Sequence, residues 1–135
     1  MLQVKDVLSE AAPMLSPDMS LVQALESIVS SGLTGLAVVD KDHHLLGFVS
    51  EHDSLPFLID GSYYCDSRTL VSEVMQSDVL TVGLNSSLVD LAQQMQQQKP
   101  KVYPVIDEGK VIGIVSRGMI IKALTESLQQ CRASA

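Results

Sequence analysis

The chain has 135 residues, 46% of them apolar and 19% charged, with a formal charge of −7. That length makes one ordinary domain or two small units sharing a core, and it needs neither a disulfide nor a metal in order to fold. The acidic balance excludes a basic face that would release phosphate counterions, and the absence of Trp leaves little surface for stacking bases, so no nucleic acid is expected as a partner.

No apolar run approaches the ~20 residues of a membrane helix, and Met1-Leu2-Gln3-Val4-Lys5-Asp6 lacks the pattern of a secretory signal. The expectation is a cytoplasmic protein with no membrane contact. Cys65 and Cys131, far apart in sequence, are then expected to be free thiols.

In chain order, Val4 to Leu8 reads as a short helical turn and Met14-Leu15 as an extended stretch. Ser20 is placed to cap a helix, with Gln23 three residues on. Leu21, Leu25, Ile28 and Val29 form its apolar face, and Gly32 stops it. Leu36 to Val39 and Leu45 to Val49 read as strands whose near-continuous apolar runs suit burial on both faces. A helix follows over Asp53 to Ile59, with Pro56 expected in its first turn. Asp60 to Arg68 reads as a connection.

The second half reads the same way. Val71 to Met75 forms a turn and Val79 to Val82 an extended stretch. Ser87 caps a helix in which Asp90 favours the positive end. Leu88, Ala92 and Met95 carry the stripe, Gln93 to Gln98 form a solvated face, and Pro100 is expected to end it. Strands Tyr103 to Ile106 and Val111 to Val115 flank the tight turn Asp107-Glu108-Gly109-Lys110. A helix over Gly118 to Gln130 closes the chain.

The two halves are copies. A shift of 67 residues lays Val4-Lys5-Asp6-Val7-Leu8 on Val71-Ser72-Glu73-Val74-Met75, Ser20-Leu21-Val22 on Ser87-Leu88-Val89, and Ala37-Val38-Val39-Asp40 on Pro104-Val105-Ile106-Asp107. One residue is lost between the strands, and Gly47-Phe48-Val49-Ser50 then falls on Gly113-Ile114-Val115-Ser116 at a shift of 66. The expected units are residues 1–61 and 67–135, joined by 62–66, each too small to bury its faces alone.

The order, spacing and duplication of these segments resemble the CBS domain, the tandem module named after cystathionine beta-synthase. They include Ser16-Pro17-Asp18 before the first capped helix and Leu46-Gly47-Phe48-Val49-Ser50-Glu51-His52-Asp53. Copy two supplies Tyr103-Pro104-Val105-Ile106-Asp107 and Ile112-Gly113-Ile114-Val115-Ser116. The resemblance implies an α/β (α+β) fold, with two β-α-β-β-α units packed as a pseudo-twofold pair. It also implies clefts for AMP, ADP, ATP or S-adenosylmethionine, in which a Ser contacts phosphate and an Asp three residues later holds the ribose. Ser50 and Asp53 match that pattern.

The chemistry agrees with that assignment. A carboxylate at a helix start can accept both ribose hydroxyls, in charge-assisted bonds worth about 1.5–3 kcal/mol each. His52 stands where the family often carries Arg, and can assist phosphate at lower pH. Leu33, Leu36 and Ala37 are the expected flank for adenine. The second cleft, at Tyr103, Pro104, Ser116, Arg117 and Met119, departs from the pattern, because Met119 replaces the ribose acid and a thioether is a weak acceptor. Ala37 against Pro104 should make the two clefts differ in shape.

No enzyme is expected. His43-His44 with His52, Asp40 or Asp42 suggests a metal site only weakly, since adjacent side chains at a hairpin tip diverge. Cys65, between Tyr64 and Asp66, has no activating partner. No cofactor is required beyond a regulatory adenosine ligand. The alternative is a ligand-free dimerisation or scaffold module, and an unknown protein target is expected either way. Helices bearing Leu21, Leu25, Ile28, Leu58, Leu124 and Leu128 point to a homodimer.

Overall fold

The computed structural model describes residues 1–97 and 99–134. A 3-10 turn at Val4–Asp6 opens the chain, followed by α1 (Leu21–Ser31), β1 (Gly35–Val39), β2 (Leu45–Ser50) and α2 (Glu51–Tyr64). The second half holds α3 (Val71–Val74), β3 (Val82–Gly83), α4 (Leu88–Met95), β4 (Val102–Asp107), β5 (Lys110–Ser116) and α5 (Arg117–Ser134).

Local chemistry sets the helix ends. The Ser20 hydroxyl accepts the Gln23 N–H at 3.1 Å, and Gly32 closes α1 at φ 74°. Ser87 accepts the Asp90 N–H at 3.3 Å, so α4 repeats the device. However, α4 ends at Met95, several residues short of Pro100. Two further boundaries differ from expectation. α2 begins at Glu51, which puts Pro56 beyond the first turn, and it runs to Tyr64 through most of the expected 62–66 connection. The cost of Pro56 is limited because the carbonyl it leaves unpaired, that of exposed His52, can turn to water.

β1 and β2 form an antiparallel hairpin in register Gly35↔Ser50, and β4 and β5 repeat it as Val102↔Ser116. A parallel strand lies beside each hairpin: β3 pairs Val82 with Val105, and in the first half this contracts to the single bridge Leu15↔Val38. β1 is buried along its whole length, as its unbroken apolar run requires, whereas β2 keeps only Gly47 and Val49 buried. The Asp107-Glu108-Gly109-Lys110 turn takes positive φ at both central residues, 51° and 79°, matching the twist of its strands.

The copies exchange their first segments. The Val4 and Lys5 N–H groups donate to the Ser86 and Leu84 carbonyls at 3.0 and 2.9 Å. Their counterparts, the Val71 and Ser72 N–H groups, donate to Met19 and Pro17 at 2.9 and 3.1 Å. Residues beyond each turn then bridge the other copy's hairpin, as Ser9↔Ile114 and Gln76↔Phe48. The repeated glycines permit this crossing: a Cβ on Gly47 would lie 2.8 Å from the Gln76 carbonyl oxygen, and one on Gly113 2.5 Å from that of Ser9.

Packing follows the exchange. Val71 and Val74 complete the first lobe's core of Leu15, Leu21, Ala24, Ile28, Leu36, Val38 and Val49. Val4 completes the second, with Leu88, Leu91, Tyr103, Val105, Val115 and Ile120. Ala37, Val39 and Val111 join the two hairpins, with Met14, Leu45, Phe48 and Ile106 around them.

Candidate functional site

Where β2 gives way to α2, the chain leaves the sheet at Ser50 and turns into a helix. The Ser50 hydroxyl accepts the Asp53 N–H at 3.1 Å, and the Ser50 carbonyl accepts the buried Ser54 hydroxyl at 2.8 Å. The Glu51 N–H is anchored to the Thr34 carbonyl at 2.9 Å, which fixes this helix end against the start of β1. Capping uses one acceptor position of Ser50 and leaves its O–H to donate. Asp53 is half-exposed, with its Oδ1 3.4 Å from Nδ1 of the exposed His52.

These three side chains open onto a cleft of about 880 Å³. Its near wall adds Thr34, Phe48 and Glu51, and its far wall comes from Gln76, Asp78, Val79 and Leu80 and from Lys99 to Val102. The cleft is therefore shared by both copies. It combines a helix N-terminus, the half-exposed carboxylate of Asp53, apolar side chains of Phe48, Val79 and Leu80, and two lysines.

The structure thus brings Ser50, His52 and Asp53 together, but not the expected adenine flank. Leu36 and Ala37 are 0% and 1% exposed, one in the first lobe's core and the other between the hairpins. Leu33 packs against the first core. None of the three lines the cleft. The residues that do, Val79 to Leu80 and Lys99 to Val102, come from the other copy; the signal for them was the pair Gly47/Gly113, whose missing side chains mark the crossings.

At the second helix start, Ser116 caps α5 by accepting the Met119 N–H at 3.2 Å, and the Arg117 N–H donates to the Lys101 carbonyl at 2.8 Å. The backbone frame of the first site is reproduced, with Met119 at the register position of Asp53. Tyr103 and Pro104, expected at this cleft, are buried in β4 instead. Tyr103 stands in the second core, its hydroxyl has no hydrogen-bond partner among the described residues, and burial pushes the phenol upward in pKa.

Asp40, Asp42 and His44 do lie close at the first hairpin tip, with ligand atoms within 4.8 Å of one another. Asp40 Oδ1 is occupied with the Asp42 and His44 N–H groups, both at 2.9 Å, and its Oδ2 with His44 Nδ1 at 3.2 Å. The His44 N–H is foremost in holding the Asp40 carboxyl below its ordinary pKa. The cluster is an Asx-stabilised turn. Cys65 and Cys131 are free and exposed. Among the described residues, no helix is long and apolar enough to cross a membrane.

The CBS domain family model matches residues 4–53 and 71–126. The chain belongs to the CBS domain family. It is similar to the chloroplastic CBS domain-containing protein CBSX1 of Arabidopsis thaliana, 30% identical over 135 residues that cover 81% of this chain and 57% of CBSX1. The chain thus spans little more than half the length of that relative. A crystal structure of CBSX2 in complex with AMP superposes with a TM-score of 0.80 at 30% identity, over 93% of this chain and 98% of the other. The Vibrio cholerae protein AcuB gives 0.86 at 25% identity, over 100% and 98%. The CBS-pair fold, two β-α-β-β-α units in one α/β (α+β) arrangement, is thereby shown.

Proposed function

We propose that this CBS pair is a regulatory module that binds one adenosine-type ligand per chain in the Ser50/Asp53 cleft and catalyses no reaction itself. The observation that carries the reading is the convergence of the capped α2 N-terminus and the Asp53 carboxylate on one cleft walled by both copies. Asp53 accepts the two ribose hydroxyls. The Ser50 O–H and the helix N-terminus face the first phosphate or its equivalent, with His52 assisting when protonated. Val79, Leu80 and Phe48 supply the apolar flank. AMP, named for the CBSX2 complex, is the first ligand to test.

A ligand held between two walls favours the arrangement in which both are in place, and a regulated protein partner would read that shift. Calorimetry with AMP, ADP, ATP and S-adenosylmethionine on protein freed of carried-over ligand tests the reading. One equivalent per chain is expected, and no binding by any of the four would move the reading to the ligand-free scaffold.

The module is also read as a homodimer. Its accessible surface of 8516 Å² exceeds the about 6,900 Å² expected of a compact monomer of this mass. That excess is more than the about 800 Å² that each partner buries in a standard interface. Leu21 and Ile28, expected on the dimer face, belong to the core, and the exposed apolar residues on the helices include Val22, Val29, Leu55, Phe57, Leu58, Ile59, Val89, Ile121 and Leu128. A dimer mass by sedimentation at micromolar concentration is the expected result.

A further inference from the structure

Part of the cleft's far wall is a stretch of chain, residues 77–81, that crosses from the first lobe to the second. Its entry is fastened: Gln76 and Phe48 each donate an N–H to the other's carbonyl at 2.9 Å. Its exit is fastened by the parallel pairing of Val82 with Val105. Between those points, residues 77–81 make no hydrogen bond among the described residues. Asp78, half-buried Val79 and Leu80 line the cleft, and Leu80 leaves 48% of its surface in water.

The equivalent stretch of the other copy is residues 10–14, at the shift of 67. It has the same two fastenings, Ser9 on Ile114 and Leu15 on Val38, but it is also held between them. The Ala11 N–H donates to the Ser9 hydroxyl oxygen at 3.3 Å, Ala12 packs against the first core, and Met14 packs between the hairpins. Pro13, whose ring fixes φ, occupies the place of Leu80.

Fixed ends and an unbonded middle let residues 77–81 move without breaking a hydrogen bond of their own. Leu80 gives the move a direction, since covering the face of a base takes its side chain out of water. Resting on the adenosine-ligand reading above, we propose that residues 77–81 are a cover that the ligand fastens: loose without ligand, and drawn onto its base by Val79 and Leu80 when it binds. Residues 10–14 are held already and do not respond. Because the cover joins the two lobes at the cleft mouth, its fastening changes the surface that a regulated partner meets there.

Hydrogen–deuterium exchange on the unmodified full chain tests this, with AMP and with S-adenosylmethionine at concentrations that calorimetry on the same sample shows to saturate. The amides of residues 77–81 should exchange fast without ligand and slow by about tenfold or more with it, while those of residues 10–14 stay unchanged. Slow exchange of 77–81 without ligand, an unchanged rate with a bound equivalent, or equal slowing of both stretches overturns the cover and leaves the adenosine reading standing.

L80W supplies a second readout, because the chain has no Trp of its own. Its emission should move to the blue and its quenching by acrylamide should fall as AMP binds. Emission and quenching that do not change while AMP is bound also overturn the cover. No heat of binding with any adenine compound removes the adenosine reading, and the cover with it.

Discussion

Replacing Asp53 by Ala separates ligand recognition from folding because the two depend on different atoms. The Ser50 cap uses the backbone N–H of residue 53, which Ala retains. The fold loses only a first-turn acid at a partly exposed helix end, a contribution of about 0.3–1 kcal/mol. For a chain of this size that lowers Tm by a few degrees, with about 1 kcal/mol corresponding to roughly 3–6 °C. Binding loses a charged bidentate contact to the ribose; the cleft's remaining acids are Glu51, two residues earlier on α2, and Asp78 on the far wall. A loss of about 2–4 kcal/mol is a factor of roughly thirty to a thousand in Kd. Calorimetry with AMP beside a thermal melt gives both numbers on one sample. Undiminished affinity in D53A, at any Tm, would show that Asp53 does not hold the ribose. A Tm collapse would show instead that the carboxylate is structural.

Met119→Asp restores the missing acceptor at the second helix start, and a second equivalent of AMP per chain is expected by calorimetry; unchanged stoichiometry would mean that more than the acid is absent there. Tyr103→Phe removes a buried hydroxyl without a partner among the described residues, so Tm should rise, by about 1 kcal/mol of stability, and a fall would reveal a bonding partner. Gly47→Ala and Gly113→Ala drive a methyl into the crossing segment and should each cost about 1–3 kcal/mol in urea unfolding, with residues 1–66 alone failing to fold. Arg68, foremost through its side-chain hydrogen bonds, holds the Asp66 carboxyl at about 2 against an ordinary 3.8. A depressed carboxyl favours the fold above its ordinary pKa and loses that linkage as pH falls through about 2, so carboxyl NMR should show a midpoint near 2 that returns toward 3.8 in R68Q.

What was legible in the sequence was what is local. Ser20 and Ser87 cap their helices, Gly32 stops one, and Glu108-Gly109 turns the second hairpin, because each involves neighbours a few residues apart. The duplication carried the fold from one half to the other. The exchange of residues 3–9 and 70–76 was not legible, since it depends on bridges across the copies, between residues 28 to 105 apart. The far wall of the cleft was missed for that reason. Leu33, Leu36 and Ala37 were read as the adenine flank, whereas β1 turns Leu36 and Ala37 into cores and Leu33, just before it, packs against the first. Periodicity also did not distinguish β2, open on alternate positions, from the fully buried β1.

The two helix starts show which of the matched residues carries information about a ligand. Ser50 and Ser116 occupy the same place in the two copies, and both accept the N–H three residues on. The helix needs that hydroxyl whether or not a ligand binds, so a serine at this position is explained by capping alone. The third residue of the helix donates its N–H as well from Asp53 as from Met119, so the fold asks little of that side chain beyond the small contribution of a first-turn acid. The difference between the clefts then lies in a position free to vary without disturbing the helix it starts. On the proposed reading, a pair built this way would lose or regain a ligand at one cleft by a single substitution while the shared core, the exchanged segments and the other cleft stay as they are.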